Sequence, residues 1–491
     1  MKGYPSLNGG FELKKMKMMK LIFTGVFLLS FGLQGTSGQN ADPVHQFVGS
    51  WIGTLKFKGM ELRLVFNARL NEKDSLIVTI DSPDQGVKGI TTSRSAIRAD
   101  SAIIWSKVIM GSYRGAFNDD RKTMTGTWRQ GGMNFPLEMK QQENEFVLNR
   151  PQEPQPPFPY ISREVKFRNY ADTIDLAGTL TIPDSVKTFP AVILITGSGA
   201  QNRNEEIFGH KPFAVIADHL SRNGFAVLRI DDRGVGGSGG KFSTSTTFDF
   251  VKDISSAVDF LKTQQGIDTS KIGLMGHSEG GLIAPILASE RKDIAFIVLL
   301  AGPGIPGEKL IPLQTELISR INGVKEQDIN ESKKTDLKVF AILKKNSDNQ
   351  KASEKIKALL VDLNKKESKK TGKDTMTEIQ IDREVRNTVS PWFRTFLFLD
   401  PVTYLSKVKC PLLALNGELD LQVPPDENLH AIEKSMIFGG NSNYKIEMIP
   451  KLNHLFQTAT TGSPAEYGKI EETFSPVALE MITTWLTGVI K

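Results

Sequence analysis

The chain carries one cysteine, Cys410, in 491 residues. That single thiol excludes an intrachain disulfide framework, cysteine-rich zinc sites and cysteine-ligated iron–sulfur clusters. Histidine is also scarce, with 6 in the chain, so each can be weighed individually. No His-Glu-x-x-His pattern or comparable ligand spacing is present, and no metal is expected. Long hydrophobic runs are nearly absent. The one that stands out, Leu21 to Leu33, falls short of the ~20 residues that a membrane span needs. Apolar residues nevertheless make up 39% of the chain and phenylalanines number 28, enough for substantial cores.

The formal charge of +6 invites a nucleic-acid or membrane reading, and its distribution answers it. Lys14, Lys15, Lys17 and Lys20 precede the apolar run, and Gly35-Thr36-Ser37-Gly38 follows it. A basic segment, a short apolar segment and a small-residue zone together describe a secretory signal over residues 1–38. Its removal takes away five lysines and Glu12, leaving +2 on the remainder. No later stretch interleaves aromatic residues with Arg and Lys as a nucleic-acid platform would. The expectation is a periplasmic or secreted protein without nucleic-acid partners and without a stable membrane span once the signal is cut. No cysteine follows the run to carry a lipid anchor.

From 41 to 148 the residues alternate as short strands. Leu62–Phe66, Leu76–Ile80 and Thr123–Trp128 each suit a pleated surface with one buried face. Gly49-Ser50-Trp51 and Gly126-Thr127-Trp128 repeat a Gly-x-Trp pattern, similar to the strand starts of small lipocalin-like barrels. A small all-β barrel or sandwich is expected there. Residues 149–160 hold five prolines and predict a semi-rigid extended linker. From 161 to 491 strand-like runs alternate with helix-like ones, which predicts an α/β unit with a mostly parallel sheet covered on both faces. The alternation is interrupted at about 305–395 by a lysine-rich, helix-favouring insertion, read as a cap.

The sharpest feature is Gly276-His277-Ser278-Glu279-Gly280, a Gly-x-Ser-x-Gly pattern lying after an apolar strand and before a helix. In that context it builds a nucleophile elbow, a strained turn that projects the serine hydroxyl above the sheet. A serine nucleophile needs a base, and in this arrangement acid and histidine follow it in the chain. Beyond Ser278 only His430 and His454 remain. His430 falls within a helical pattern, whereas His454 follows the strand-like run Tyr444–Ile449, so His454 is the candidate base. Asp420, after the run Leu412–Leu415, is the candidate acid, with Glu418 and Asp426 as alternatives. The oxyanion of a tetrahedral intermediate would be met by the backbone N–H of Glu279 and by one from Thr196-Gly197-Ser198-Gly199, Ser198 first and Gly199 next.

Together with Asp231-Asp232-Arg233-Gly234 and Asn416-Gly417-Glu418-Leu419-Asp420, these motifs resemble the α/β-hydrolase superfamily. They are similar in particular to its serine aminopeptidase and dienelactone hydrolase-like branch, and to two-domain bacterial carboxylesterases with an N-terminal β-domain. The resemblance implies a core sheet of about eight strands, a cap inserted before the acid-bearing strand and hydrolysis without a cofactor. It departs from many relatives at Thr196, where they have histidine.

Two Gly-x-Gly-x-x-Gly matches, Gly234-Gly236-Gly239 and Gly302-Gly304-Gly307, read as tight loops at the carboxyl ends of strands rather than dinucleotide sites. The function expected is a serine hydrolase acting on a small-molecule ester, a carboxylesterase. A peptidase taking short peptides with the same triad is the alternative, and a non-catalytic binding protein the second alternative.

Overall fold

The computed structural model describes residues 42–490 apart from 58–59, 99, 145–147, 185 and 372–375. The signal-like segment therefore lies outside the described residues. The chain divides at Asn149/Arg150 into two compact units.

Among the described residues the first unit begins with a short helix, α1 (Pro43–Phe47), and continues as nine strands. These are β1 (Gly49–Phe57), β2 (Met60–Leu70), β3 (Leu76–Ser82), β4 (Val87–Thr91), β5 (Arg94–Ile97), β6 (Ser101–Ser106), β7 (Gly111–Phe117), β8 (Thr123–Gln130) and β9 (Met133–Gln142). They form one antiparallel sheet in the order β4-β3-β2-β1-β9-β8-β7-β6-β5. Only Thr92 and Ser93 separate β4 from β5, so one stretch of chain pairs with β3 by its first half and with β6 by its second. The sheet curls back on itself. Phe66 on β2 lies 5.4 Å by ring centroid from Tyr113 on β7, although four strand spacings in a flat sheet would separate them by ~19 Å. The sandwich half of the sequence expectation is therefore wrong: among the described residues of this unit there is one sheet and one apolar interior. Both Gly-x-Trp tryptophans, Trp51 and Trp128, are buried in it. Trp51 donates its indole N–H to the Phe47 carbonyl at 2.9 Å, which satisfies the one polar atom it brings inside.

Among its described residues the second unit holds eight strands: β10 (Ile161–Asn169), β11 (Ile174–Ile182), β12 (Phe189–Ile195), β13 (Ala226–Ile230), β14 (Ile267–His277), β15 (Ile297–Leu300), β16 (Leu412–Gly417) and β17 (Tyr444–Ile449). Their order is β10-β11-β13-β12-β14-β15-β16-β17. The pairs from β13 onward are parallel, while β10 and β11 run antiparallel at one end. β12, β13, β15, β16 and the second half of β14 are largely apolar and buried, as parallel strands covered by helices on both faces are. Around the sheet lie α2 (Pro212–Arg222), α3 (Thr247–Lys262), α4 (Gly280–Glu290), α10 (Val402–Leu405), α11 (Pro425–Phe438) and α12 (Pro476–Val489). Between β15 and β16 the chain inserts α5 (Gly307–Ile321), α6 (Glu326–Lys345), α7 (Asn349–Thr371), α8 (Glu378–Thr388) and α9 (Pro391–Phe398). These cap helices share an apolar cluster of their own, built on Phe340, Leu343, Ile356, Ile381 and Leu397.

The proline-rich stretch, expected as a semi-rigid extended linker, is tied down along its first residues. Arg150 donates to the carbonyls of Phe208, Gly468 and Ile470. The Gln152 side chain accepts from the N–H groups of Thr473 and Phe474 and donates to the Phe474 carbonyl. Prolines exclude helix and sheet from this segment, but two long polar side chains strap it to the second unit.

Candidate active site

The sheet register brings the candidate residues to one edge. Ile195 at the end of β12 pairs with Gly276 on β14, and Gly417 at the end of β16 pairs with Ile449 at the end of β17. The loops that leave the carboxyl ends of these parallel strands carry Ser198, Ser278, Asp420 and His454. That is where open α/β sheets assemble their sites.

Ser278 stands between β14 and α4 with φ +53°, a left-handed backbone that costs a non-glycine residue about 1–2 kcal/mol. Its N–H is held by the Leu300 carbonyl at 2.9 Å. The flanking glycines make the turn possible. A Cβ on Gly276 would lie 2.0 Å from the Gly280 carbonyl oxygen, and one on Gly280 would lie 2.2 Å from the Ile195 oxygen. No side chain fits at either place, so the pattern read from sequence is a packing requirement.

Of the three acids considered, Asp420 alone reaches His454. Its Oδ2 lies 2.8 Å from His454 Nδ1, and its Oδ1 accepts from the N–H groups of Gln422 and Val423, both at 2.8 Å. Asp420 and His454 are both buried. Glu418 is exposed and accepts from the Lys451 N–H, and Asp426 sits exposed in the first turn of α11. With a carboxylate facing Nδ1, that nitrogen carries the proton and Nε2 is left as the basic atom. The structure holds no hydrogen bond between Ser278 Oγ and His454. Catalytic contacts of this kind often close only around substrate.

His430 is exposed on α11, and His45 is exposed beside Asp42. His219 lies on α2 against Thr483. His210 is buried between Thr473 and the Tyr467 carbonyl, where burial and the nearby Arg150 charge lower it to about 4.

On the oxyanion side, the N–H groups of Ser198 and Glu279 have no hydrogen-bond partner among the described residues. The Gly197 N–H is already committed to Glu205 Oε1 at 2.6 Å. Gly199 follows with φ +109°. A Cβ on Gly197 would stand 3.1 Å from the Ser278 Cβ, which measures how closely this loop approaches the nucleophile.

Beneath these donors lie buried carboxyls. Glu279 accepts from Thr247 Oγ1 at 2.7 Å and from the Trp392 indole of the cap. Burial raises its pKa, against the pull of Thr247, Trp392 and Ser198. Asp232 accepts from Thr196 Oγ1 and the Gln201 N–H. Burial pushes it well up, and the Glu279 and Glu205 carboxylates push it further. Asp231 instead pairs with the Arg203 guanidinium. The loop Gly234 to Gly239 closes on itself, Gly234 N–H to Gly239 carbonyl at 2.8 Å, and opens no helix.

Glu205 and His277 form a buried pair that no sequence signature marks. His277 Nδ1 lies 2.9 Å from Glu205 Oε1, and its Nε2 lies 2.9 Å from the His454 carbonyl oxygen. Glu205 and His277 stand 72 residues apart in the chain, and no motif links them. Among the described residues no cluster of side chains forms a metal site, and no helix is long and apolar enough to cross a membrane.

Residues 210–380 match the Hydrolase_4 family, described as serine aminopeptidase, S33. Esterase EstD of Thermotoga maritima is 27% identical over 296 residues, covering 60% of this chain and 61% of its own. An uncharacterised 31.7 kDa protein of Escherichia coli is 25% identical over 260 residues, covering 51% of this chain and 80% of its own. The chain thus spans less than two thirds of the length of EstD. Among solved structures, the Pyrococcus furiosus esterase Pf2001 superposes with a TM-score of 0.42 at 16% identity, over 70% of this chain and 98% of its own. The resemblance to α/β-hydrolases of the esterase and serine aminopeptidase kind is borne out by the family and EstD matches.

Proposed function

We propose that the chain is a serine carboxylic ester hydrolase. The observation that carries this reading is the meeting of two independent features at one sheet edge. A strained elbow serine, Ser278, follows His277, and the His277 ring lies 4.8 Å from the imidazole of the buried Asp420–His454 pair. In this reading Ser278 Oγ attacks the acyl carbon while His454 Nε2 takes its proton. Asp420 holds the imidazole tautomer and stabilises the imidazolium that forms. The carbonyl oxygen, negative in the tetrahedral intermediate, is met by the N–H groups of Ser198 and Glu279, each such donor being worth about 3 kcal/mol. The alcohol leaves with the proton from His454, and water then resolves the acyl-enzyme by the same base. No step calls for a cofactor. The N-terminal segment supports export to the periplasm or beyond, and the printed name of EstD supports an ester as substrate.

The family description as a serine aminopeptidase favours a second reading, in which the same triad cleaves short peptides. Ser278→Ala tests both at once. The variant is expected to keep the parent's melting temperature while losing p-nitrophenyl acetate turnover and fluorophosphonate labelling. Retained turnover would remove Ser278 from the chemistry. Parallel assays of the parent on acyl esters and aminoacyl amides separate esterase from peptidase. A parent that turns over neither and takes no label would favour the binding-protein alternative.

A further inference from the structure

The proposed hydrolytic site assigns no role to a buried ionisable pair that lies beside it. Glu205 and His277 are both buried, and neither is expected to touch substrate. Their hydrogen bonds form a string. The Gly197 N–H donates to Glu205 Oε1 at 2.6 Å, that oxygen also meets His277 Nδ1 at 2.9 Å, and His277 Nε2 meets the His454 carbonyl oxygen at 2.9 Å. A carbonyl only accepts, so His277 Nε2 carries a proton and donates it. One further proton lies between Nδ1 and the carboxylate, and the pair as a whole is uncharged. Burial alone would lower His277, but the Glu205 carboxylate more than offsets this and holds the imidazole above its ordinary value.

What the string connects is specific. Gly197 immediately precedes Ser198, His277 immediately precedes Ser278, and the last acceptor belongs to His454 itself. Each contact therefore lies on, or one residue from, a separate part of the proposed machinery: oxyanion loop, nucleophile and base. These parts leave different strands, and sheet register does not by itself fix the loops beyond the strand ends. Glu205 pays a local cost for its place, with φ +50°, where an L-residue is strained. A pair needed only for packing could be replaced by apolar side chains of similar volume, often without loss of stability. An apolar pair could not set three backbones in register.

We infer that Glu205 and His277 are positioning residues that lock the oxyanion loop, the nucleophile elbow and the histidine loop into one register. The inference rests on the serine hydrolase reading above. Misplacement of reacting groups by ~1 Å costs about 100-fold in rate, so breaking the string should be felt in kcat rather than in substrate binding.

The test uses the full chain and three variants, Glu205→Ala, His277→Gln and Glu205→Gln. Glu205→Ala and His277→Gln are expected to lower kcat for p-nitrophenyl acetate about 100-fold. KM should stay within about threefold, and fluorophosphonate labelling per folded molecule should slow in parallel. Glu205→Gln keeps an oxygen that can accept from Gly197 and from His277, and is expected to recover at least about tenfold over Glu205→Ala. Melting temperatures and far-ultraviolet circular dichroism establish the folded fraction. If Glu205→Ala does not fold, His277→Gln and Glu205→Gln decide. Folded His277→Gln that labels at the parent's rate, a loss confined to KM, or a Glu205→Gln no better than Glu205→Ala would overturn the inference. A parent that does not label at Ser278 defeats the triad and this inference together, whereas a labelling parent with unaffected variants defeats the inference alone.

Discussion

Trp392 reaches down from the cap and places its indole nitrogen 2.9 and 2.8 Å from the two carboxylate oxygens of Glu279. Glu279 follows the proposed nucleophile, so the cap is fastened to the elbow itself. The same carboxylate accepts from Thr247 Oγ1 at the start of α3, which makes it a three-way joint between cap, elbow and sheet-covering helix.

Removing either donor leaves a buried acceptor less satisfied. Trp392→Phe keeps the stacking on Phe396, whose ring lies 5.2 Å away at 16°, but loses the N–H. Thr247→Val is nearly isosteric. Each is expected to destabilise the chain by about 1–3 kcal/mol in denaturant unfolding. Because both act on one carboxylate, the double variant should depart from additivity by at least ~0.5 kcal/mol. Strict additivity would mean that the two donors do not share the group.

Glu279 also predicts a pH dependence. Burial raises its pKa in the folded chain above the ordinary 4.5. The native state therefore holds its proton to higher pH than the unfolded state does. The stability contributed by this group is complete below pH 4.5 and is lost as pH rises through the native value. Glu279→Gln removes that titration while leaving the backbone N–H in place. Measured from pH 4.5 upward, the variant is expected to gain stability relative to the parent. Curves that run parallel throughout would show that the carboxyl behaves ordinarily.

The elbow glycines and Gly197 should respond differently to alanine. A Cβ on Gly276 or Gly280 would run into backbone carbonyl oxygens at 2.0 and 2.2 Å, and backbone in the sheet core cannot yield cheaply. Gly276→Ala and Gly280→Ala are expected to cost at least about 3 kcal/mol, read as lost soluble yield and a lower denaturation midpoint. At Gly197 the nearest neighbours, Glu205 Oε1 and Ser278 Cβ, both lie at 3.1 Å and are side-chain atoms. Gly197→Ala should fold and show its effect as a kcat reduced about tenfold or more, because the strain falls on the nucleophile. A Gly197→Ala enzyme with normal kcat would mean that the loop relaxes away from Ser278.

The contrast between these glycines bears on how much was legible in sequence. The elbow was legible because its steric demand is local: a strand, a turn and a helix within one short segment admit only a few residue types. The buried strands β12 to β16 announced themselves as apolar runs for the same reason. β10 and β11 did not, since β10 is largely exposed and reads as Glu, Lys and Arg between isolated apolar residues. The strands of the first unit were visible by alternation, but whether they formed one curled sheet or two facing sheets depends on the joint at Thr92 and Ser93, which carries no signature. Glu205 and His277 lay beyond reach because their bond spans 72 residues, and the histidine occupies a position in the Gly-x-Ser-x-Gly pattern that tolerates many residues. Trp392 was likewise just one aromatic residue in a charged insertion until its indole could be placed on Glu279.

The acid was the member of the candidate triad that sequence left least defined, with Glu418, Asp420 and Asp426 all near the end of one strand. Asp420 is now distinguished by three contacts: His454 Nδ1 on Oδ2, and the N–H groups of Gln422 and Val423 on Oδ1. An asparagine there could still accept the two backbone N–H groups, so the loop should hold its shape. Its amide nitrogen would then face Nδ1, which reverses the tautomer and puts the proton on Nε2, where a basic atom is needed. Asp420→Asn is therefore expected to melt close to the parent yet lose about 10³–10⁴-fold in kcat for ester hydrolysis. Glu418→Gln changes only an exposed side chain bonded to the Lys451 N–H and should stay within about twofold of the parent. Steady-state rates for the two variants, with melting curves for each, measure the contrast. A loss below about tenfold in Asp420→Asn would place the orienting acid elsewhere and leave the Asp420–His454 bond a structural one.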